Sequence, residues 1–486
     1  MTNSLWRRHG QAIIMSMSGI DLVRVASRVS SAFVAIYSLA AAVPAAAQVP
    51  PESEQQGPAA EQATTSDDGQ APADATVAVE EAEAEGSSSG TDIFSLRTFS
   101  LVLDGRLVGA DGGPSWLDRG FGKTRFDGDD DGDFQAGLLP MQATLVWQPR
   151  FFDGLSATVS GGWQRDQEEP LDIMEAFLSF RPSPQARTRF HARAGIFWPN
   201  ISLEHAGAAW SVTESITPSA INSWISEEVK VLGLEATLTT SLGEHQLSLT
   251  GAAFGFNDTS GTLLSFRGWA LHDLNATVFG HFPLPVLNPF MTIAQEDRTK
   301  SFIELDDRVG FYGNLEWRPP WPFALNVFYY DNRGDPHVFN SDLQWGWLTR
   351  FWNVGFNADL GPSTRLLAQG MIGDTTMGIP GPPNGNFWVE TRFRSAYVLV
   401  RHDFGPATLT GRFDWFDTRE EGRRMDAAES EDGWSIMAAS RVRLNDQVNL
   451  FLEALHVSSE RGVRTRIGQQ PTENQTVFQA GLRFSL

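Results

Sequence analysis

The chain has 486 residues, a formal net charge of −22 and no cysteine. The missing thiols exclude disulfide frameworks, thiol catalysis and thiolate metal sites together. The acidic balance argues against nucleic acid as a partner, because phosphate backbones select basic surfaces. With 16 Trp and 33 Phe but only 41% hydrophobic residues, the composition suits a transmembrane β-barrel, apolar at alternate positions, better than a bundle of apolar helices.

Residues 1–47 read as an export signal. Arg24 and Arg28 supply a positive flank, Ala32 to Leu39 form a short apolar core, and Ala45 to Ala47 give a small-x-small cleavage pattern before Gln48. The apolar core is too short to cross a bilayer of about 30 Å. Arg7 and Arg8 lie upstream of an ordinary signal, which leaves Met15 or Met17 as an alternative start. Residues 48–92 are rich in Ala, Glu, Ser and Pro and hold no lysine, arginine or aromatic residue. Such a stretch cannot bury enough apolar surface to offset its ordering entropy, so it is predicted to be a disordered acidic tether.

Residues 93–486 alternate with a period of two. In ATLTGRFDWFDT, Leu409, Gly411, Phe413 and Trp415 share one face, while Thr408, Thr410, Arg412 and Asp414 share the other. Alternation over eight to twelve residues matches a tilted bilayer-crossing strand. Sixteen strands are predicted, near 96–108, 136–148, 155–166, 173–181, 188–197, 226–240, 246–257, 305–318, 323–331, 345–360, 364–374, 388–404, 407–417, 434–444, 448–458 and 475–486. Their connections alternate between tight turns, such as 241–245 and 405–406, and long polar loops, such as 109–135, 198–225 and 258–304. This asymmetry defines an all-β fold, an antiparallel transmembrane barrel of the Gram-negative outer membrane with its tight turns in the periplasm. Loops 198–225 and 258–304 are long enough to fold into the lumen.

The segments LVLDGRLVG, ATLVWQPRFFDGLSATVSGGW, DIMEAFLSFRP and ARAGIFWPNISLEH, in that order around an acidic first loop, resemble the phosphate-selective porin family of the O/P type. The last segment carries Gly195, Phe197, Pro199, Ser202, Leu203 and Glu204 in the pattern of that family. The resemblance implies a sixteen-stranded general or anion-selective porin, commonly a homotrimer. Two departures stand out. The family's selectivity draws on a lysine cluster, whereas this chain has only Lys123, Lys230 and Lys300. Its barrels usually end in an aromatic residue, whereas this one ends in Leu486 with Phe484 two positions earlier.

Two groups of candidate site residues follow. An arginine facing lipid at midplane would cost roughly 2–4 kcal/mol, so Arg308, Arg392, Arg394, Arg412, Arg441, Arg443 and Arg483 are assigned to the lumen as pore-lining candidates. There they would either draw anions or pair with carboxylates and brace the wall. The stretch FDGDDDGDF spaces Asp127, Asp129 and Asp131 like EF-hand ligands. Position twelve of such a loop would be Leu138, inside a predicted strand, so the motif fails as an EF-hand. It reads as a solvated acidic loop or, alternatively, as a site where Asp127, Asp129, Asp131 and Asp133 hold Ca²⁺ or Mg²⁺ and bridge to lipopolysaccharide phosphates. His272, Asp273 and His281 form only a weak metal set.

The functional expectation is a porin that passes small hydrophilic solutes or anions, with outer-membrane lipid and lipopolysaccharide as its surroundings. The alternative is a plugged structural or surface-binding barrel. An outer-membrane enzyme is third: no GxSxG, HExxH or phosphate-cradling glycine loop is present, and no catalytic residue or obligate cofactor is assigned.

Overall fold

The computed structural model describes residues 91–169, 171–182 and 185–486. The predicted signal and nearly all of the predicted tether lie outside the described residues.

Sixteen antiparallel wall strands close on themselves. They are β1 (Phe99–Ala110), β2 (Gln135–Trp147), β3 (Leu155–Gln164), β4 (Asp172–Phe180), β5 (Thr188–Phe197), β6 (Val231–Leu242), β7 (His245–Gly255) and β8 (Gly310–Arg318). The circuit continues with β9 (Phe323–Asp331), β10 (Leu348–Asp359), β11 (Thr364–Met377) and β12 (Val389–Phe404). It ends with β13 (Ala407–Glu420), β14 (Glu431–Arg443), β15 (Val448–Arg461) and β16 (Thr472–Ser485). Closure is made by β1 on β16, from Val102↔Ser485 to Ala110↔Val477. A three-residue piece, Arg150–Phe152, adds to the β2–β3 hairpin. Each strand pairs on both sides, so the wall leaves no open edge to face hydrocarbon.

The outer face explains why the alternation is apolar. Leu107, Leu238, Leu249, Leu315, Val354, Val398, Phe413, Ile436, Leu452 and Leu482 all point outward and are exposed. Trp352, Trp415 and Trp434 form an aromatic band toward the loop side, and Trp321, Phe152 and Phe404 form one toward the turns. This belt on a closed strand cylinder places the chain in the outer membrane of a Gram-negative cell. At the turn end, β6 and β7 are joined through Gly243 at φ 66°, a left-handed conformation that glycine adopts without steric cost.

Two predicted strand starts move by five residues. The sixth strand begins at Val231 rather than 226, because a helix occupies Ala220–Glu228. Ser219 caps this helix, its side chain accepting from Asn222 N. The eighth strand begins at Gly310 rather than 305, because the chain before it is held to the fourth loop: Leu305 N and Asp306 N both donate to Asp258.

Candidate functional site in the barrel lumen

The lumen is the candidate site, and two loops decide its character. The third loop, 198–230, carries α1 (Ala220–Glu228), all nine residues of which are buried. The fourth loop, 256–309, carries α2 (Thr262–Phe266) and α3 (Met291–Ala294). Its apolar residues meet apolar neighbours, and its polar ones meet hydrogen-bond partners. Trp224 supplies the centre, its ring 5.3 Å from Phe351 and from Phe393 on the wall and 6.1 Å from Trp269 of the fourth loop. Ile221, Ile225, Leu263, Leu264, Phe266 and Trp347 join the same core. The interior here is packed like a soluble domain rather than lined with water.

On one side the wall is fastened to the third loop by charged side chains. Arg412 bonds Asp414 at 2.8 Å and Glu204 at 3.0 Å, and its Nη atoms donate to the carbonyls of Thr217 and Pro218. Glu453 accepts from Ile216 N at 2.6 Å and Thr217 N at 3.0 Å. Arg483 donates to Val212 O and Asp104, Arg441 to Thr213 O, and Arg401 to Glu214. Loop backbone that enters a lumen must find partners for its N–H and C=O groups, and these wall side chains supply them.

The opposite side stays polar and partly open to water. Thr237 pairs with Thr250 at 2.8 Å, Thr239 with Ser248 at 2.9 Å, and Ser179 with His191 at 2.8 Å, all half-buried on the inner face of β4–β7. Asn314 and Glu316 of β8 continue this lining. The inner face toward the turn end is thus a half-buried polar lining, in contrast to the apolar core around α1.

The arginine assignments divide. Arg412, Arg441 and Arg483 face inward and meet the third loop. Arg392 and Arg394 do not line the lumen: their side chains are 71% and 48% exposed, while Phe393 and Tyr397 on the same strand are the buried, inward-facing residues. The physical reason is the plug, which makes the interior apolar at this level. The two arginines sit near the loop-side end of β12, opposite Asp374 and Ile372, and bond Glu421 and Asp417. Arg308 precedes β8 at the loop-side lip and bonds Asp335 at 2.6 Å. Arg443 is exposed at the turn end of β14.

The first-loop aspartates do not converge on one point. Asp127 is buried and accepts from Ser115 N. Asp129 accepts from Asp131 N and Asp133 N, closing a turn, and these three side chains are exposed. Among the described residues, the carboxylates whose oxygens do gather within 4.8 Å are Asp258, Glu304 and Asp306. Burial first, then Glu304 and Asp306, push the Asp258 carboxyl up to about 8. Sequence reading missed this group because 46 residues separate its first two members.

Asp273 is taken up between Arg106 at 2.6 Å and Arg125 at 2.8 Å. A second grouping looks catalytic at first sight. His205 Nδ1 lies 2.8 Å from Ser202 Oγ and its Nε2 lies 3.0 Å from Ser226 Oγ. Burial lowers its pKa to about 3, so it is neutral. Both ring nitrogens are spent on hydroxyls, which leaves no place for the carboxylate that orients a Ser–His–Asp triad.

No family model matches the chain, and no curated protein matches it in sequence. Among solved structures it is similar to the anion-selective porin from Comamonas acidovorans, at 11% identity and TM-score 0.46, over 82% of this chain and 100% of that one. It is likewise similar to the outer membrane channel DcaP of Acinetobacter baumannii, at 11% identity and TM-score 0.46, over 82% and 99%. A third is Salmonella typhi OmpF in complex with Daunomycin, at 11% identity and TM-score 0.44, over 82% and 98%. At these identities and TM-scores the likenesses carry no argument about this chain's role. Its own strand count and closure make it a sixteen-stranded β-barrel of the outer membrane.

Proposed function

We propose that the chain is a porin-type barrel whose solute path is shut by its own third and fourth loops and conducts small hydrophilic solutes when those loops move. The observation that carries this reading is the half-buried polar lining of β4–β8 beside the buried apolar core that α1 and the fourth loop build inside the barrel. A polar, water-reached lining serves passage, and the core blocks it. Purified protein in planar bilayers should show a low, intermittent conductance well below that of an open sixteen-stranded pore. Continuous full-size steps from the wild-type chain would sink the reading.

An anion or phosphate preference of the O/P kind would need lumenal guanidiniums with donors free for solute. Arg106, Arg193, Arg412 and Arg483 are each bonded to a carboxylate. We therefore expect weak selectivity, measured as a reversal potential near zero across a chloride gradient and across a phosphate gradient. For assembly we expect a homotrimer, supported by the small outward residues Gly411, Ala438 and Ala454 at facing positions of β13, β14 and β15, which let walls approach closely. Mass measurement of the detergent-solubilised protein tests it.

A permanently closed structural barrel is the second reading, favoured by the complete burial of α1. Deleting residues 198–225 would then open a pore that the intact chain never shows.

A further inference from the structure

The two lumenal loops are tied to each other at a pair of adjoining carboxylates. Glu227 and Glu228 end α1, and both are buried. They reach different parts of the fourth loop. Glu227 holds the Arg267 guanidinium, Nη1 to Oε2 at 2.9 Å with Nη2 on Oε1, and also His272 Nε2 at 2.6 Å. Glu228 accepts from Leu263 N at 2.8 Å and Gly261 N at 3.1 Å at the start of α2. The Trp224 indole N–H also donates to Glu228, at 2.7 Å.

The seam continues on both sides of the pair. His272 N donates to Ser223 Oγ at 3.1 Å, and Ala276 N to Ser226 O at 2.8 Å. The far side of Arg267 stacks on Trp116 of the first loop, 4.7 Å from the ring centre.

This placement works against simple packing. Two neighbouring carboxylates at a helix C-terminus face the negative end of the helix dipole and each other. Burial adds a desolvation cost that only good partners offset. An apolar pair there would fill the space without those penalties. What carboxylates add is strength that depends on partner geometry: the contacts are firm when the fourth loop is seated and are lost together when it shifts. That is a bistable contact rather than a graded one.

We propose that Glu227 and Glu228 form a latch that locks the third and fourth loops into one plug, so that the barrel opens only when this contact is released. The inference rests on the reading that these loops close the lumen.

The test is single-channel recording in planar bilayers on the full chain and on Glu227→Gln, Glu228→Gln and the double variant Glu227→Gln/Arg267→Gln. Each is first shown to be a folded, heat-modifiable barrel. The wild type should be closed for most of the record. Each variant should raise the open probability by about tenfold or more, because the closed state loses contacts that the open state lacks. The Glu227→Gln/Arg267→Gln variant leaves no stranded cation, so its opening would report loss of the latch rather than an uncompensated charge. Glu228→Gln also strands no cation and keeps one amide oxygen, so it serves if Glu227→Gln fails to assemble. A closed wild type with folded variants that stay equally closed would overturn the latch while leaving the plug reading intact. A wild type that conducts at full porin size would overturn both.

Discussion

Arg412 on the barrel wall and Glu204 in the third loop lie 3.0 Å apart with both side chains shut off from solvent. Asp414 holds the same guanidinium from the wall side at 2.8 Å. The arginine is thus a clamp between wall and plug. Replacing Arg412 with glutamine leaves two buried carboxylates without their cation, a change that costs about 3–5 kcal/mol. The expected outcome is a clear fall in the thermal midpoint of the purified barrel, with the reversal potential unchanged. A shifted reversal potential at unaltered stability would mean that Arg412 faces solute instead.

Arg392 and Arg394 should behave differently. Both are exposed on the outer face of β12; Arg394 bonds Asp417, which is buried and also held by Arg419, whereas Arg392 pairs with a Glu421 that is open to solvent. Exposed pairs contribute within about 1 kcal/mol. Arg392→Gln should leave the melting midpoint close to wild type, Arg394→Gln should lower it because the buried Asp417 then keeps only Arg419, and neither should change the ion selectivity. A selectivity change in either would place that side chain on the conduction path, against the geometry found.

These two cases show what could be read from the sequence and what could not. Strand positions were legible: 188–197 and 323–331 are predicted and observed with the same limits. Alternation identifies the two faces of a strand, but telling inside from outside needs a chemical contrast between them. β13 has that contrast, with Arg412 and Asp414 against Phe413 and Trp415, and its inward face is assigned as found. In β12 the contrast points the wrong way: Arg392 and Arg394 share the outer face with Val398 and Val400, while Phe393 and Tyr397 turn inward because that face meets the plug. The plug itself was legible only as loop length. Its helix AINSWISEE sets Ile221, Trp224 and Ile225 against Asn222, Ser223 and Glu227, but nine residues are too short a run to stand out beside sixteen alternating strands. The latch and the Asp258 group join residues tens of positions apart, which a single sequence does not reveal.

The plug's own packing can be weakened without touching a charge. Trp224 is fully buried between Phe351, Phe393 and Trp269. Trp224→Ala removes a large ring from a site enclosed by wall and loop, a loss of about 3–5 kcal/mol if the space does not refill. The wall strands keep their ladder, so the barrel should still migrate as a folded species. What should change is the current, with more frequent openings in the bilayer record. A variant with wild-type closure would mean that the loops are held by their polar contacts alone.

The last prediction concerns Asp258, whose carboxyl burial, Glu304 and Asp306 together push up to about 8. In the unfolded chain an aspartate titrates near 3.9. The folded state therefore binds more protons than the unfolded one across the interval between, and by linkage stability must fall as pH rises through it. Below about pH 4 both states are protonated and the contribution is fully present; above about pH 8 both are ionised and it is gone. Lys123 and Lys230, each pulled down to about 7 by burial, act in the opposite sense, since their folded forms favour losing the proton. A melting curve of the wild type alone would mix these effects, so the useful quantity is the difference between wild type and Asp258→Asn. The amide cannot ionise but keeps an oxygen for Leu305 N and Asp306 N. Asp258→Asn should match the wild type near pH 5 and gain on it steadily toward pH 8, by about 2–4 kcal/mol at the upper end. Thermal unfolding of both proteins in detergent at half-unit steps of pH gives that difference directly. A difference that does not change with pH would mean that Asp258 is already ionised at pH 5, held in that form by a partner that offsets both its burial and its acidic neighbours.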